Sequence, residues 1–235
     1  MLGESLKFPL QGEESTKTVA IGGLLNLVAL FIPIIPQLFI YGYALRAMRA
    51  GLNGDRTAPT FSDWEGLLKE GALVFGVMLI YVGIPIFLFA IIVPIFGGFA
   101  IGLGGEAGGS AGAGAGSMVL IALLGVGFLV TFLAYYMVPA ALVGLAARGE
   151  FGAAFDLQSV KRLAFNGTYF VGVVVSFFVL LIGSILSLPL YIILVGFAIQ
   201  FILIAGVFNY LGRIARKAAP GTQSQPAEGR PQTSL

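Results

Sequence analysis

VAIGGLLNLVALFIPIIPQLFIYGYAL, residues 19–45, contains no charged residue and ends directly on Arg46-Ala47-Met48-Arg49. A helix needs about 20 apolar residues to cross the hydrocarbon core of a bilayer, and this run is long enough. Pro33-Ile34-Ile35-Pro36 interrupts it, with Gln37 just beyond. Each proline removes a backbone donor and kinks or breaks a helix. A membrane span tolerates such a break where neighbouring helices or water satisfy the freed carbonyls. The segment therefore reads as a kinked, tilted span. The competing geometry is a re-entrant hairpin turning at the prolines, although its arms would be short for a crossing.

The same signal recurs along the chain. Charge-poor apolar runs occupy 72–96, 118–147, 169–188 and 191–211. With 19–45 they make about five spans, and 19–211 reads as an all-α polytopic transmembrane helical bundle. The bulk composition agrees: 58% of residues are apolar and 10% charged, whereas soluble domains are nearer half apolar and one quarter charged. Residues 1–18 form a polar arm with no signal-peptide pattern, so the first apolar segment is expected to be retained. Residues 97–117 are dominated by Gly and Ala, with Glu106 the only charge. Such a run loses much backbone entropy on ordering and is expected as a flexible external loop. Residues 212–235 begin basic and continue as a Pro/Gly/Gln/Ser tail with little to bury, expected to be disordered.

The positive charges orient the bundle. Of the 13 Lys and Arg, four fall in the connection 46–70, three in 148–166 and four in the tail. The Gly/Ala loop and the turn at Pro189 have none. Lys and Arg concentrate on the cytoplasmic side of membrane proteins. Five spans would place both connections and the tail in the cytoplasm and the N-terminus outside, whereas a re-entrant first segment, or one paired with an interfacial helix, would place the N-terminus in the cytoplasm. The two lysines of the arm dissent mildly, and three glutamates accompany them.

Two connections carry the remaining pattern. In the first, Ser62-Asp63-Trp64-Glu65 has the spacing of a capping box, with Ser62 as the expected cap. A short amphipathic helix along the membrane surface should follow, with Trp64, the only tryptophan, as a headgroup-level anchor. In the second, Phe155-Asp156 repeats the Phe61 and Asp63 pattern, and Arg148 echoes Arg46 and Arg49. Both connections end on glycine, Gly71 and Gly167. The echo is compatible with a parallel repeat of the kind found in some transporters. It also follows from the common need of any loop between spans for arginine, a cap and an aromatic.

The string Gly42-Tyr43-Ala44-Leu45-Arg46-Ala47-Met48-Arg49, followed by Pro59-Thr60-Phe61-Ser62-Asp63-Trp64, resembles the first half of domain-of-unknown-function family 4013. Pro139-Ala140-Ala141, Ala153-Ala154-Phe155-Asp156 and Gly167-Thr168-Tyr169 resemble its second half. The resemblance covers about 19–211 and implies a multi-pass membrane protein of prokaryotic type. The long Gly/Ala loop departs from the family pattern. The resemblance brings no catalytic residues to carry over.

Chemistry is constrained mainly by what the chain lacks. It has no cysteine and no histidine. Thiol nucleophiles, thiolate metal sites and the usual general base near neutral pH are thereby removed. No phosphate-binding glycine loop with its lysine is present, and no basic tract suits nucleic acid. No cofactor and no enzymatic activity are expected. The carboxylates of Asp63 and Asp156 read as helix caps and loop charges. The structural or functional candidates are Pro33, Pro36, Gln37, Arg46, Arg49, Phe61, Asp63, Trp64, Phe155 and Asp156. The expected partners are the lipid bilayer and a membrane-protein partner or second copy. Two functions fit: a membrane scaffold, assembly or trafficking component, and a small permease or channel with a cavity at the proline-broken first span. A polar cavity at the midplane would favour the second, a solid apolar bundle the first.

Overall fold

The computed structural model describes residues 1–12 and 14–219, and for residues 99–116 only the backbone. All of its regular elements are helical. The chain divides into two compact units, one of Met1–Phe75 with Pro139–Leu235 and one of Gly76–Val138.

The first unit is built around the last long helix. Its helices are α1 (Leu2–Lys7), α2 (Ser15–Val28), α3 (Ile34–Asn53) and the beginning of α4 (Trp64–Met78). After the second unit, whose helices are α5 (Ile84–Ile92) and most of α6 (Gly98–Arg148), the chain returns with α7 (Leu157–Ala164), α8 (Gly167–Ser187) and α9 (Val195–Ala218). Helices α1, α2, α3 and α8 all lie against α9. Small residues on both sides permit this. Gly206 of α9 receives Leu6 and Ser5 of α1, and Gly22 and Gly23 of α2 receive Phe201 and Ala198 of α9.

The first apolar segment is two helices, not one kinked span. Residues 29–33 separate α2 from α3. From Gly22 to Asn26, the α9 partners of α2 run backward, from Phe201 to the carbonyl of Phe197. From Tyr43 to Gly51, the partners of α3 run forward, from Phe201 to Asn209. Helices α2 and α3 are therefore antiparallel, and the chain turns back between them. The prolines explain why the break is sharp. Pro33 is the N-cap of α3 and Pro36 lies in its first turn, where a missing N–H has no intrahelical partner to lose. With 14 residues, α2 is about 21 Å long and falls short of the ~30 Å core. The turn exposes Leu30, Phe31, Ile32, Ile34 and Ile35.

Among the described residues, four helical stretches have the length and composition to cross a membrane: Trp64–Gly97, Ser117–Arg148, Gly167–Tyr191 and Val195–Ala218. Their outward faces are apolar. Phe170, Val171, Phe177, Phe178, Ile182 and Leu186 of α8 are all exposed. A surface of this kind belongs in lipid rather than water.

In the second unit, α5 and α6 run antiparallel. The Phe89 ring covers Gly127, and Leu120 closes over Gly97. The five-residue wide turns Leu79–Gly83 and Val93–Gly97 flank α5. Pro85 follows the first and Pro94 lies in the second. A wide turn relaxes the clash between a proline ring and the preceding turn, so the helical path continues.

Two further expectations change. The Gly/Ala stretch 97–117, expected as a loop, is helical in backbone from Gly98 as part of α6. Glycine propensity runs against this, but extending an existing helix avoids the cost of nucleation. At the other end, Arg213, Arg216 and Lys217 belong to α9 rather than to a tail. The expected disordered segment from 220 onward lies outside the described residues.

Candidate functional site

A dense group of polar side chains joins α3 to α4. Arg46 donates through Nη2 to Asp63 Oδ2 at 2.8 Å and through Nε to Glu70 Oε2. Arg49 donates through Nη1 to the other Glu70 oxygen at 2.7 Å and through Nε to the carbonyl of Ala146 at 3.0 Å. Helical spacing accounts for the convergence. Residues three apart lie on one face, so Arg46 and Arg49 approach Glu70 together. Both Arg46 and Glu70 are 19% exposed, so their charges are held largely out of water and in contact. The bond to Ala146 carries the cluster across to α6.

Asp63 has a second role. Its Oδ1 accepts from the backbone N–H of Gly66 at 3.0 Å, which makes it the N-cap of α4. That N–H and, after it, the Arg46 guanidinium hold the Asp63 carboxyl below the usual carboxylate range. The expected cap was Ser62. Its hydroxyl instead meets that of Thr60 at 3.0 Å, and Glu65 pairs with Lys69 rather than reaching back. The register is one residue later because Asp63 can cap the helix and face Arg46 at once. The short surface helix expected here is instead the first part of a longer one, since the helix that starts at Trp64 runs on into the apolar stretch.

Beside the ionic cluster stands an aromatic one. The Tyr43 ring stacks on Phe61 with centroids 4.9 Å apart and planes 18° apart. Phe201 of α9 meets both rings, and Trp64 lies against Phe39 and Phe61. Phe8, Ile40 and Leu67 complete this buried core. The segment 59–64 is thus folded back over α3, with its Phe inward and its Asp toward arginine. Trp64 is 43% exposed, at the edge of the cluster.

Glycines set the helix spacing. A Cβ on Gly42 would strike the carbonyl of Leu67, and one on Gly71 would strike the carbonyl of Leu38. The two antiparallel helices each give the other's backbone room. Between α3 and α9 the exchange repeats: Gly51 faces the carbonyl of Asn209, and Gly212 faces that of Met48. Asn209 adds a bond from Nδ2 to the Ala47 carbonyl at 3.0 Å. Such approaches are the usual basis of tight helix association in membranes.

The second connection reproduces part of this geometry. Arg148 Nη2 reaches Asp156 Oδ2 at 3.2 Å, and Asp156 caps α7 by accepting from the Ser159 N–H at 3.3 Å. The Ser159 hydroxyl, then the Ser159 N–H, then Arg148 hold the Asp156 carboxyl low. In both halves an arginine of one helix grips the aspartate that caps the next. A glycine stands four residues before each arginine, Gly42 and Gly144, and both face a carbonyl across the contact. Left-handed glycines, Gly54 and Gly149, end both preceding helices. The shared Gly-x-Ala-x-Arg string, Gly42 to Arg46 and Gly144 to Arg148, was a visible signal of this arrangement that composition and charge counting do not pick out. The echo is incomplete: Phe155 meets Phe151 of its own turn, with ring centroids 5.1 Å apart, and no acidic residue follows Asp156 in α7 or α8 as Glu70 follows Asp63 in α4.

The structure thus brings together Arg46, Arg49, Phe61, Asp63 and Trp64, and places Phe155 and Asp156 in the related second arrangement. Pro33, Pro36 and Gln37 stand apart, since Pro36 is ten residues, about 15 Å, along α3 from Arg46. Several helix ends gather at one end of the first unit. The ends of α3 and α6 meet through Arg49, and Arg216 of α9 reaches Gly54. Glu4 Oε2 lies 3.4 Å from Arg213, so the N-terminal helix is at this same end. Within the first unit the N-terminal helix thus lies beside the basic ends of α3 and α9, the arrangement expected of a re-entrant first segment. The reversal at 29–33 accounts for this, because it makes α2 and α3 an antiparallel pair.

Neither curated proteins nor solved structures yield a match to this chain. Among protein families, residues 25–205 match the one described as a protein of unknown function, DUF4013. That span contains both arginine–aspartate pairs and all of the helical stretches of membrane-crossing length except the end of α9. The chain belongs to the DUF4013 family, and it is a multi-pass membrane protein of prokaryotic type.

Proposed function

We propose that the protein is a non-enzymatic scaffold or assembly component of the cell membrane, which presents its apolar helix faces to another helical membrane protein or a second copy. One observation carries this reading. Polar groups within its apolar helices are turned onto neighbouring helix atoms. Asn26 donates to the Phe197 carbonyl at 3.2 Å, Ser184 to Gln200 at 3.1 Å, and Asn209 to the Ala47 carbonyl at 3.0 Å. Groups used in this way fasten helices together rather than line a path for solute. The glycine–carbonyl contacts of α3 with α4 and α9 support the same reading, because they close helices onto each other. The basic ends of α3, α6 and α9 face the cytoplasm in this proposal, following the bias of Lys and Arg.

The permease alternative has less support at its chosen place. Beside Pro33 and Pro36 the exposed side chains Leu30, Phe31, Ile32, Ile34 and Ile35 are apolar, and Gln37 is the one polar side chain next to them in sequence. The test pairs two measurements on the full chain. Reconstituted liposomes should release ions and small solutes no faster than protein-free ones. Photo-crosslinking from probes placed at Phe177 and Ile182, on the exposed face of α8, should trap one discrete membrane protein. Saturable solute uptake by the liposomes, with no discrete cross-link, would replace this proposal by the permease.

A further inference from the structure

A cavity of about 440 Å³ lies where the end of α6, α7, the start of α8 and the end of α9 converge. Pockets of this volume hold whole small ligands, so it is roomier than a simple anion requires. Its inner wall is apolar, with Val143, Gly144 and Ala147. Its polar lining includes Arg148, Arg162 and Ser159.

The charges of that lining do not cancel. Asp156 accepts from both Arg148 and Ser159, at 3.2 and 2.8 Å. Arg162 makes no ion pair among the described residues. Two guanidinium groups therefore face one carboxylate, and the cavity favours an anion. Guanidinium matches phosphate oxygens especially well, through paired N–H donors in one plane.

The surroundings are those of a membrane interface. Leu157, at the start of α7, is 54% exposed, and Phe165, just past its end, is 71% exposed. The opposite side of α7, Val160 and Leu163, is buried against the unit. The apolar outer face of α8 begins at once with Phe170 and Val171. A basic cavity with an apolar wall beside a lipid-facing helix is suited to a ligand with an anionic head and an apolar body.

We infer that this cavity binds the phosphate group of an anionic phospholipid, with Arg162 and Arg148 on the phosphate oxygens and the Val143, Gly144 and Ala147 wall against the adjoining apolar chain. The inference is independent of the scaffold proposal, since a lipid site would suit a permease equally.

Thermal unfolding of the purified full chain in neutral detergent provides the test, with dioleoyl phosphatidylglycerol, dioleoyl phosphatidylcholine or inorganic phosphate titrated in. Phosphatidylglycerol should raise the melting temperature saturably, and the other two should not at equal concentration. Arg162→Ala should weaken the apparent affinity about tenfold, the loss expected for one charged hydrogen-bonding group. Arg162→Lys should recover part of it, and Arg56→Ala, an exposed arginine outside the cavity, should match the parent. Equal responses to the two lipids, or equal losses from Arg162→Ala and Arg56→Ala, would overturn the site. A full response to inorganic phosphate alone would overturn the lipid as its ligand.

Discussion

Arg46 Nη2 stands 2.8 Å from Asp63 Oδ2 across 17 residues of sequence, and the contact fastens α3 to the first turn of α4. The same carboxylate accepts the helix-capping bond from Gly66. Cap and ion pair are thus one device, and Arg148 with Asp156 forms a second.

This coupling has a consequence for acid stability. Asp63 and Asp156 both hold their carboxyls below the ordinary range, through their capping bonds and their arginines. A carboxylate lowered in the folded state contributes stability that is complete above its unfolded value, near 4, and lost as pH falls through the folded value. The melting temperature of the parent should therefore drop as pH is lowered below about 4. Asp63→Asn with Asp156→Asn keeps capping oxygens but removes the titration, and should flatten that drop. Parallel pH profiles for parent and double variant would refute the assignment.

Glu70 is the shared partner of two arginines. Removing it as Glu70→Ala leaves Arg46 and Arg49 close together and mostly out of water. The expected loss is about 2–3 kcal/mol, somewhat below that of breaking a fully buried pair because the cluster keeps partial solvent contact. Glu65→Ala, which removes only the exposed pair with Lys69, should leave unfolding unchanged. Chemical denaturation of the two variants under one set of conditions checks the contrast.

Gly42 and Gly71 should be intolerant of even one methyl group. Each would place its Cβ on a backbone carbonyl of the other helix, which cannot rotate away as a side chain can. Gly42→Ala or Gly71→Ala is expected to cost about 1–3 kcal/mol. The double variant should cost less than the sum, because the first substitution already separates the helices. Gly125→Ala, in α6 with open space around the new methyl, should instead stabilise by about 0.4–1 kcal/mol. The opposite signs are measurable by the same thermal unfolding series.

The Tyr43 hydroxyl is buried and has no hydrogen-bond partner among the described residues. Its ring, by contrast, is fully engaged with Phe61 and Phe201. Tyr43→Phe should keep the stack and relieve the desolvated hydroxyl, leaving stability equal or higher by about 1 kcal/mol. Tyr43→Leu should lose the aromatic contacts and about 0.5–1.5 kcal/mol with them. A Tyr43→Phe variant less stable than Tyr43→Leu would show that the hydroxyl is bound.

Topology gives the fifth expectation. The absence of cysteine allows single reporters to be introduced at Gly3, Asp55 and Gly152. An impermeant thiol reagent should reach all three from one side of sealed vesicles and none from the other. Labelling of Gly3 from the side opposite Asp55 would restore a single crossing by residues 19–45.

Much of this architecture was legible from local composition. Charge-free runs near 72–96, 118–147, 169–188 and 191–211 correspond to the apolar helices, because the preference of a segment for lipid is set by its own side chains. The grouping of arginine and lysine into two connections and the end of α9 was equally plain, and so was the helix-starting character of the Ser62-Asp63 and Phe155-Asp156 segments. At Ser62 the expected cap is off by one residue, because two neighbouring side chains could both serve. Over 97–117 the entropy cost of glycine points to a loop, whereas the stretch extends the helices on either side and so needs no new nucleus.

What only the tertiary structure decided depends on distant backbones meeting. Pro33 and Pro36 could equally kink one span or begin a new helix. The choice follows from α9, whose Phe197 carbonyl, Ala198 and Phe201 receive α2 running one way, while Phe201 and Asn209 receive α3 running the other. Likewise, Arg46, Arg49, Asp63 and Glu70 read as separate loop and helix-end charges. They become one cluster because Gly42 and Gly71 let α3 and α4 approach to backbone contact. Local sequence sets which segments are helical and which prefer lipid, but the pairing of charges and the direction of a turn are set by the packing partner.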